Sequence, residues 1–310
     1  MKTKNKLVLA LALLAAVLVV PALIGSSYIH SIIITICIYS IFAISYDLLL
    51  GYTGIVSFGH TVYFGVAAYV VAFTTVKLHW PFLAAVGMVI VVCVAISFIF
   101  SLVTLRTKNV YFSMVTMAIG QLFYVMSTKL YAITGGDDGL PGVKSIFPNK
   151  TVFYIAAVLI LVCVYLFSKR LVNSPAGRVL QGVKENDARI GMLGYNTFKF
   201  KSIVIQISGL LAGLAGILYV NLNGIATPSI LNSSMTLQIL FMVILGGVGT
   251  LHGPVIGAAI MQIASIVLSG FTTRWMLIFG IGFVVVMLFF PKGVAGVFDR
   301  FSQPNQLRKE

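Results

Sequence analysis

Asp47 is the only acidic residue between the N-terminus and Asp137, and it stands between long stretches, residues 7–46 and 48–76, that hold no Lys, Arg, Asp or Glu. An ionisable side chain in so apolar a setting is costly in hydrocarbon, so it is expected to face a bundle interior or an aqueous cavity and to mark a functional path. His60 is the nearest titratable candidate for its partner. Between the two lie Tyr52, Thr53 and Ser57, carried on a glycine-interrupted stretch, Gly51-Tyr52-Thr53-Gly54 followed by Ser57 and Gly59. Together with the uncharged polar residues Asn221 and Gln238, these form the candidate substrate path. A structural reading stands beside the functional one: Asp47 at a membrane boundary or neutral and hydrogen-bonded to a neighbouring helix, Asn221, Asn223 and Gln238 as polar glue between helices.

Enzymatic constellations are scarce. There is no Gly-Lys dipeptide, hence no Walker A phosphate loop, and neither HExxH nor GxSxG occurs, so the chain is expected to be neither an ATPase, a metalloprotease nor an acyl-transfer enzyme. The Asp137-Asp138 pair has no second acidic pair to work with. Cys37, Cys93 and Cys163 lie in apolar runs without CxxC spacing, which points to small hydrophobic fillers rather than a metal site or a disulfide framework. No metal or cofactor is expected on this chain.

The elements that must position these residues are helices in a bilayer. Of 310 residues 59% are hydrophobic and 9% charged, with a mean hydropathy of +1.05, a balance no water-soluble core requires. Charge-free runs at 7–46, 48–76, 78–105, 109–128, 151–168, 202–273 and 275–291 divide, at roughly 20 residues per crossing of about 30 Å, into roughly ten hydrophobic segments. The fold class is therefore all-α, a polytopic transmembrane bundle of roughly 8–10 segments, some of them re-entrant, forming one transmembrane domain over residues 1–310. Lys2, Lys4 and Lys6 ahead of an apolar run also permit a cleavable signal.

The net charge of +14 suggests nucleic acid only until the charges are sorted by side. With a cytoplasmic N-terminus and ten spans, 16 of the 21 basic residues fall inside, and Lys77, Lys129, Lys144, Lys150 and Arg274 fall outside. This satisfies the positive-inside rule with both termini, including the tail 292–310, in the cytoplasm. The loop 169–201 then faces the cytoplasm. Ser174 can cap a helix there, Pro175 suits its first position, and Ala176, Val179, Leu180 and Val183 form one apolar stripe. Gly182 weakens this helix, and Gly191 and Gly194 are expected to break it. The loop reads as one or two amphipathic helices on the membrane face, or as a solvated connector held near anionic lipid by its basic residues.

Gly51–Gly54 and Gly246-Gly247-Val248-Gly249 with His252, Gly253 and Pro254 interrupt apolar regions in opposite halves of the chain, as discontinuous helices near a substrate path do in repeat-built transporters. Gly209, Gly213 and Gly216 place small residues on nearby faces of one helix, a packing signal.

Several of these motifs resemble the permeases of branched-chain amino-acid ABC importers. They are Asp47-Leu48-Leu49-Leu50-Gly51-Tyr52-Thr53-Gly54 through Gly59-His60, Thr134-Gly135-Gly136-Asp137-Asp138-Gly139-Leu140, Ser174-Pro175-Ala176-Gly177-Arg178 through Glu185-Asn186-Asp187 and Leu193-Gly194, Gly246–Thr250 with Gly253-Pro254, and Phe290-Pro291-Lys292-Gly293. Urea permeases are similar in the same motifs. The resemblance implies an inner-membrane complex of two homologous permeases, two ATPase subunits that hydrolyse the ATP, and an extracytoplasmic binding protein that delivers leucine, isoleucine or valine. It also implies that 169–201 is the coupling loop, with Arg178, Glu185, Asn186, Asp187 and Gly194 at the ATPase. An ATP-independent channel or secondary carrier is the alternative from another class.

Overall fold

A helix that is apolar on every side has no wet face and settles in a core or in lipid. The computed structural model, which describes residues 26–105, 107, 110–271, 274, 277, 278, 280–282, 284 and 293, contains six such helices long enough to cross a bilayer. In chain order the helices are α1 (Ser27–Thr53), α2 (Thr61–Ala72, extended by a π-turn over Phe73–Lys77), α3 (Phe82–Thr104) and α4 (Val110–Lys129). There follow α5 (Tyr131–Thr134), α6 (Lys150–Val172), α7 (Pro175–Glu185), α8 (Asp187–Met192), α9 (Thr197–Asn223), α10 (Ser233–Gly246) and α11 (Gly253–Phe271). The spanning helices are α1, α3, α4, α6, α9 and α11. At about 1.5 Å per residue, α10 with its 14 residues reaches about 21 Å, short of the hydrocarbon thickness. Both α2 and α10 are short apolar helices, in keeping with the expectation of 8–10 segments.

The long helices differ in enclosure. The most apolar stretches of α1 and α9 are 72% and 61% buried, against 22–33% for α3, α4, α6 and α11. α1 packs on α6, α9, α10 and α11, and α9 packs on α1, α2 and α3. Outer faces carry Leu83, Val91, Ile99, Tyr111, Leu122 and Leu159 exposed, which in lipid is no penalty because the surrounding tails are as apolar as the side chains. Gly209, Gly213 and Gly216 line α9 where it meets α2 and α3: Gly213 lies against Cys93 and Ala67, and Gly216 against the Phe64 backbone.

The two ends of the bundle are distinct. At one end β1 (Leu140–Pro141) pairs antiparallel with β2 (Ile225–Ala226), the Gly142 and Val143 amides both donate to the Gly224 carbonyl at 3.1 Å, and Lys77 Nζ donates to the Ala132 carbonyl. At the other end α7 lies against the C-terminal end of α1, and α8 packs on α7 and α9. Ser174 Oγ accepts from the Gly177 amide at 3.1 Å to cap α7, and Leu180 and Val183 face the bundle. The amphipathic helix expected from the apolar stripe is present. Gly191, expected to break it, instead lies inside α8. The interruption falls at Asn186, which leaves the helical conformation (φ −158°) to cap α8 by accepting from the Arg189 amide, and α8 ends before Gly194 (φ +89°).

Residues 1–25, Arg106, Lys108, most of 275–291 and the tail from Lys292 except Gly293 lie outside the described residues. The expectations for the basic N-terminus, the signal segment, the last span and the tail fall on these.

Candidate functional site at the two helix breaks

α1 ends at Gly54, whose left-handed backbone (φ +71°) is a helix C-cap conformation that glycine adopts without a Cβ penalty. The chain then runs without regular structure through residues 55–57 and turns over residues 58–60 before α2 starts at Thr61. Non-helical backbone at membrane depth must find partners within the protein. Here hydroxyls supply them. Ser113 Oγ donates to the Val56 carbonyl at 2.9 Å, the Phe58 amide donates to Thr116 Oγ1 at 3.1 Å, and Thr236 Oγ1 donates to the Phe58 carbonyl at 3.1 Å. Helices α4 and α10 thus hold the first break.

The second break, residues 247–252 between α10 and α11, meets the first directly. A Cβ on Gly51 would lie 2.6 Å from the Gly249 nitrogen and 2.7 Å from its Cα, so the two backbones touch where neither residue has a side chain. Asp47 Oδ1 accepts from the Gly249 amide at 2.8 Å. The carboxylate is fully buried, and Oδ2 has no hydrogen-bond partner among the described residues. From below, Lys184 Nζ at the end of α7 donates to the Gly51 carbonyl at 2.7 Å. Gly293 packs against Gly247 from the far end of the chain.

His60 is not the partner of Asp47. It is fully buried one step along the first break, with Nε2 2.9 Å from Ser45 Oγ. Its ring stacks on Phe42 and meets Tyr46 and Tyr63 edge-on. Ser208 Oγ on α9 donates to the Ser45 carbonyl. Ser57 is buried beside Tyr46, Thr53 Oγ1 turns back to the Leu49 carbonyl, and Tyr52 is half-buried near Leu251 and Tyr165. The residues from Asp47 to His60 therefore gather at one junction, where Asp47, Thr53, Ser57 and His60 are buried.

A cavity of about 380 Å³ between α1, α9, α10 and α11 is lined by Tyr39, Tyr219, Gln238, Ser229 and Ser234 with the apolar Ile230, Met235, Leu237, Phe241 and Met261. Gln238 is in this cavity. Asn221 is not: it is buried, with Nδ2 donating to the Ile217 carbonyl at 2.8 Å. A second cavity of about 270 Å³, bounded by Tyr69, Phe73, Trp80, Phe123 and Met126, is almost wholly apolar.

In the loop, Arg178, Glu185, Asn186, Asp187 and Gly194 are all exposed, and Asp187 pairs with Lys201 at 2.6 Å. Beside them an apolar patch, Met192, Leu193 and Tyr195, exposes 82%, 66% and 47% of its surface. It escaped sequence reading because residues 192–195 have no periodic pattern of their own. Tyr39 and Tyr219, each in a continuous apolar run, gave no signal either.

Spanning helices around two glycine-centred breaks, with an amphipathic loop docked beneath them, define a polytopic helical membrane protein. The sequence model of the family described as branched-chain amino acid transport system, permease component, matches residues 28–289, and the chain belongs to that family. The chain is 23% identical over 286 residues to the high-affinity branched-chain amino acid transport system permease protein LivM of Salmonella typhimurium, covering 83% of this chain and 67% of that protein. It is 22% identical to LivM of Escherichia coli with the same coverage, and 22% identical to LivH of Escherichia coli over 83% of this chain and 91% of that protein. No solved structure gives a significant match.

Proposed function

We propose that this chain is one of two permease subunits of an ATP-driven importer in the inner membrane, that α7–α8 face the cytoplasm and carry the ATPase contact, and that the cargo is a branched-chain amino acid released by an extracytoplasmic binding protein. The observation that carries the reading is the docking of an exposed, partly apolar loop directly under the junction of the two breaks. Arg178, Glu185, Asn186, Asp187 and Gly194, with Met192, Leu193 and Tyr195, would form the surface an ATPase grips. ATP would be hydrolysed by the partner, and the loop would pass the partner's motion to the membrane bundle.

The cavity bearing Gln238 supports the cargo class. Its polar groups are uncharged and stand beside aliphatic and aromatic walls, which suits a zwitterion of zero net charge with an apolar side chain better than a small polar amide. With Ser229, Ser234 and Leu237 exposed, the cavity opens toward the outside of this chain, where a second permease would close it. Asp47, Tyr52, Thr53, Ser57 and His60 would then act by holding the breaks rather than by touching cargo.

Uptake of labelled leucine, isoleucine, valine and urea in a strain lacking the gene, with and without the restored chain, tests this. Restored uptake of the branched-chain amino acids is the expected result. Restored urea uptake alone overturns the cargo, and solute uptake by the purified chain without an ATPase overturns the importer.

A further inference from the structure

The last four carbonyls of a helix have no partner within it. At the end of α1 the Gly54 amide takes the Leu50 carbonyl and the Ile55 amide takes the Leu49 carbonyl, while the Gly51 carbonyl receives the Lys184 ammonium from another element. A cation at a helix C-terminus is also favoured by the helix dipole. The approach depends on missing side chains: Lys184 Cγ would be only 3.2 Å from a Cβ on Gly54. Gly51 in turn lies backbone to backbone with Gly249, whose amide is held by Asp47 Oδ1. One lysine of the loop therefore reaches the first break by a hydrogen bond and the second through a single glycine contact.

We infer that Lys184 is the positioning residue through which the loop α7–α8 sets the packing of the Gly51–Gly249 junction, an inference that rests on the reading of that loop as the ATPase contact. Withdrawal of α7 removes the ammonium from the Gly51 carbonyl and takes a positive charge away from the buried Asp47, one of whose oxygens has no partner among the described residues. The position of the loop and the packing of the two breaks then belong to one equilibrium, and whatever the ATPase does to α7 biases the junction. Lys184 needs no contact with cargo for this role.

The test uses the complete transporter, both permeases, the ATPases and the binding protein, in proteoliposomes. Lys184 is an exposed residue, so Lys184→Met is expected to melt within a few degrees of wild type, to co-purify with the ATPase and to keep basal hydrolysis. Uptake and cargo-stimulated hydrolysis fall about tenfold or more, the range of an ordinary coupling free energy. Lys184→Arg, which keeps a donor and a charge, recovers a substantial part of both. Adding Asp47→Asn to Lys184→Met costs little more, because residues acting on one element are not additive. Uptake by Lys184→Met within about twofold of wild type, equal impairment of the Met and Arg variants, or independent multiplication of the two losses each overturns the inference while leaving the importer in place. A wild-type complex that takes up no cargo overturns the importer reading itself.

Discussion

Gly51 and Gly249 show how narrowly one residue can be specified without bearing a functional group. An alanine at position 51 would set its Cβ 2.6–2.7 Å from backbone atoms of Gly249, and backbone cannot swing aside as a long side chain can. Gly51→Ala is therefore expected to destabilise the protein by about 1–3 kcal/mol, as overpacking does, read as a lowered melting temperature in detergent. Gly87→Ala in the exposed face of α3, where a Cβ meets nothing within 4 Å, is expected to shift melting upward by the equivalent of about 0.5–1 kcal/mol. Equal shifts for the two variants would show that the junction is not tightly packed. At this scale the sequence made Asp47 conspicuous through its isolation, yet it pointed to His60 as partner because local proximity was all it offered. The actual partner, the Gly249 amide, is a backbone group more than half the chain away, and backbone groups carry no residue-type signal. Lys184 looked like one basic residue among several in the loop, and only the fold separates it from the rest.

At the scale of elements, the amphipathic α7 was legible because Ser174, Pro175 and the apolar stripe follow rules that operate within one turn or two. The division between α7 and α8 was less so. Gly191 pointed to a break, but Asn186 caps by itself and Gly182 gives room to the Ile190 side chain, whose Cδ1 would be 2.7 Å from a Cβ there, so α8 folds back against α7. That arrangement leaves Met192, Leu193 and Tyr195 exposed. Met192→Ser with Leu193→Ser is expected to weaken ATPase co-purification about tenfold or more, as loss of two buried apolar anchors at an interface would, without lowering the melting temperature of the isolated permease. Undiminished co-purification would place the ATPase contact elsewhere. The glycine-rich interruptions were legible as breaks in apolar periodicity. Their mutual contact was not, because it joins segments from opposite halves of the chain.

For the whole molecule, charge sorting and geometry can be compared directly. Lys77, Lys129, Lys144 and Lys150, assigned to one side by sequence, lie toward the end where β1 meets β2, and the basic loop lies at the other. The two-sidedness of the bundle was therefore readable from charge positions alone, since the cost of carrying charge across hydrocarbon acts on every loop independently of packing. Which end faces the cytoplasm is open to labelling. A membrane-impermeant maleimide applied to intact cells is expected to modify Lys144→Cys, and to reach Lys184→Cys only after permeabilisation. The native Cys37 and Cys93 are buried, and Cys163 lies in the apolar span α6, so a Cys163→Ser background suffices. The reverse pattern would invert the molecule. What charge cannot supply is the pairing of helices, and so the enclosure of α1 and α9 and the place of the Gln238 cavity emerge only in three dimensions.

The loop meets α1 at a main-chain oxygen, which every amino acid possesses. Drift in the membrane-embedded sequence cannot delete that acceptor so long as Gly51 and Gly54 stay small, whereas a single replacement at Lys184 removes the donor. The bundle is thereby free to diverge in its apolar surface and in what it carries, while the loop keeps an attachment point that does not depend on the side chains around it.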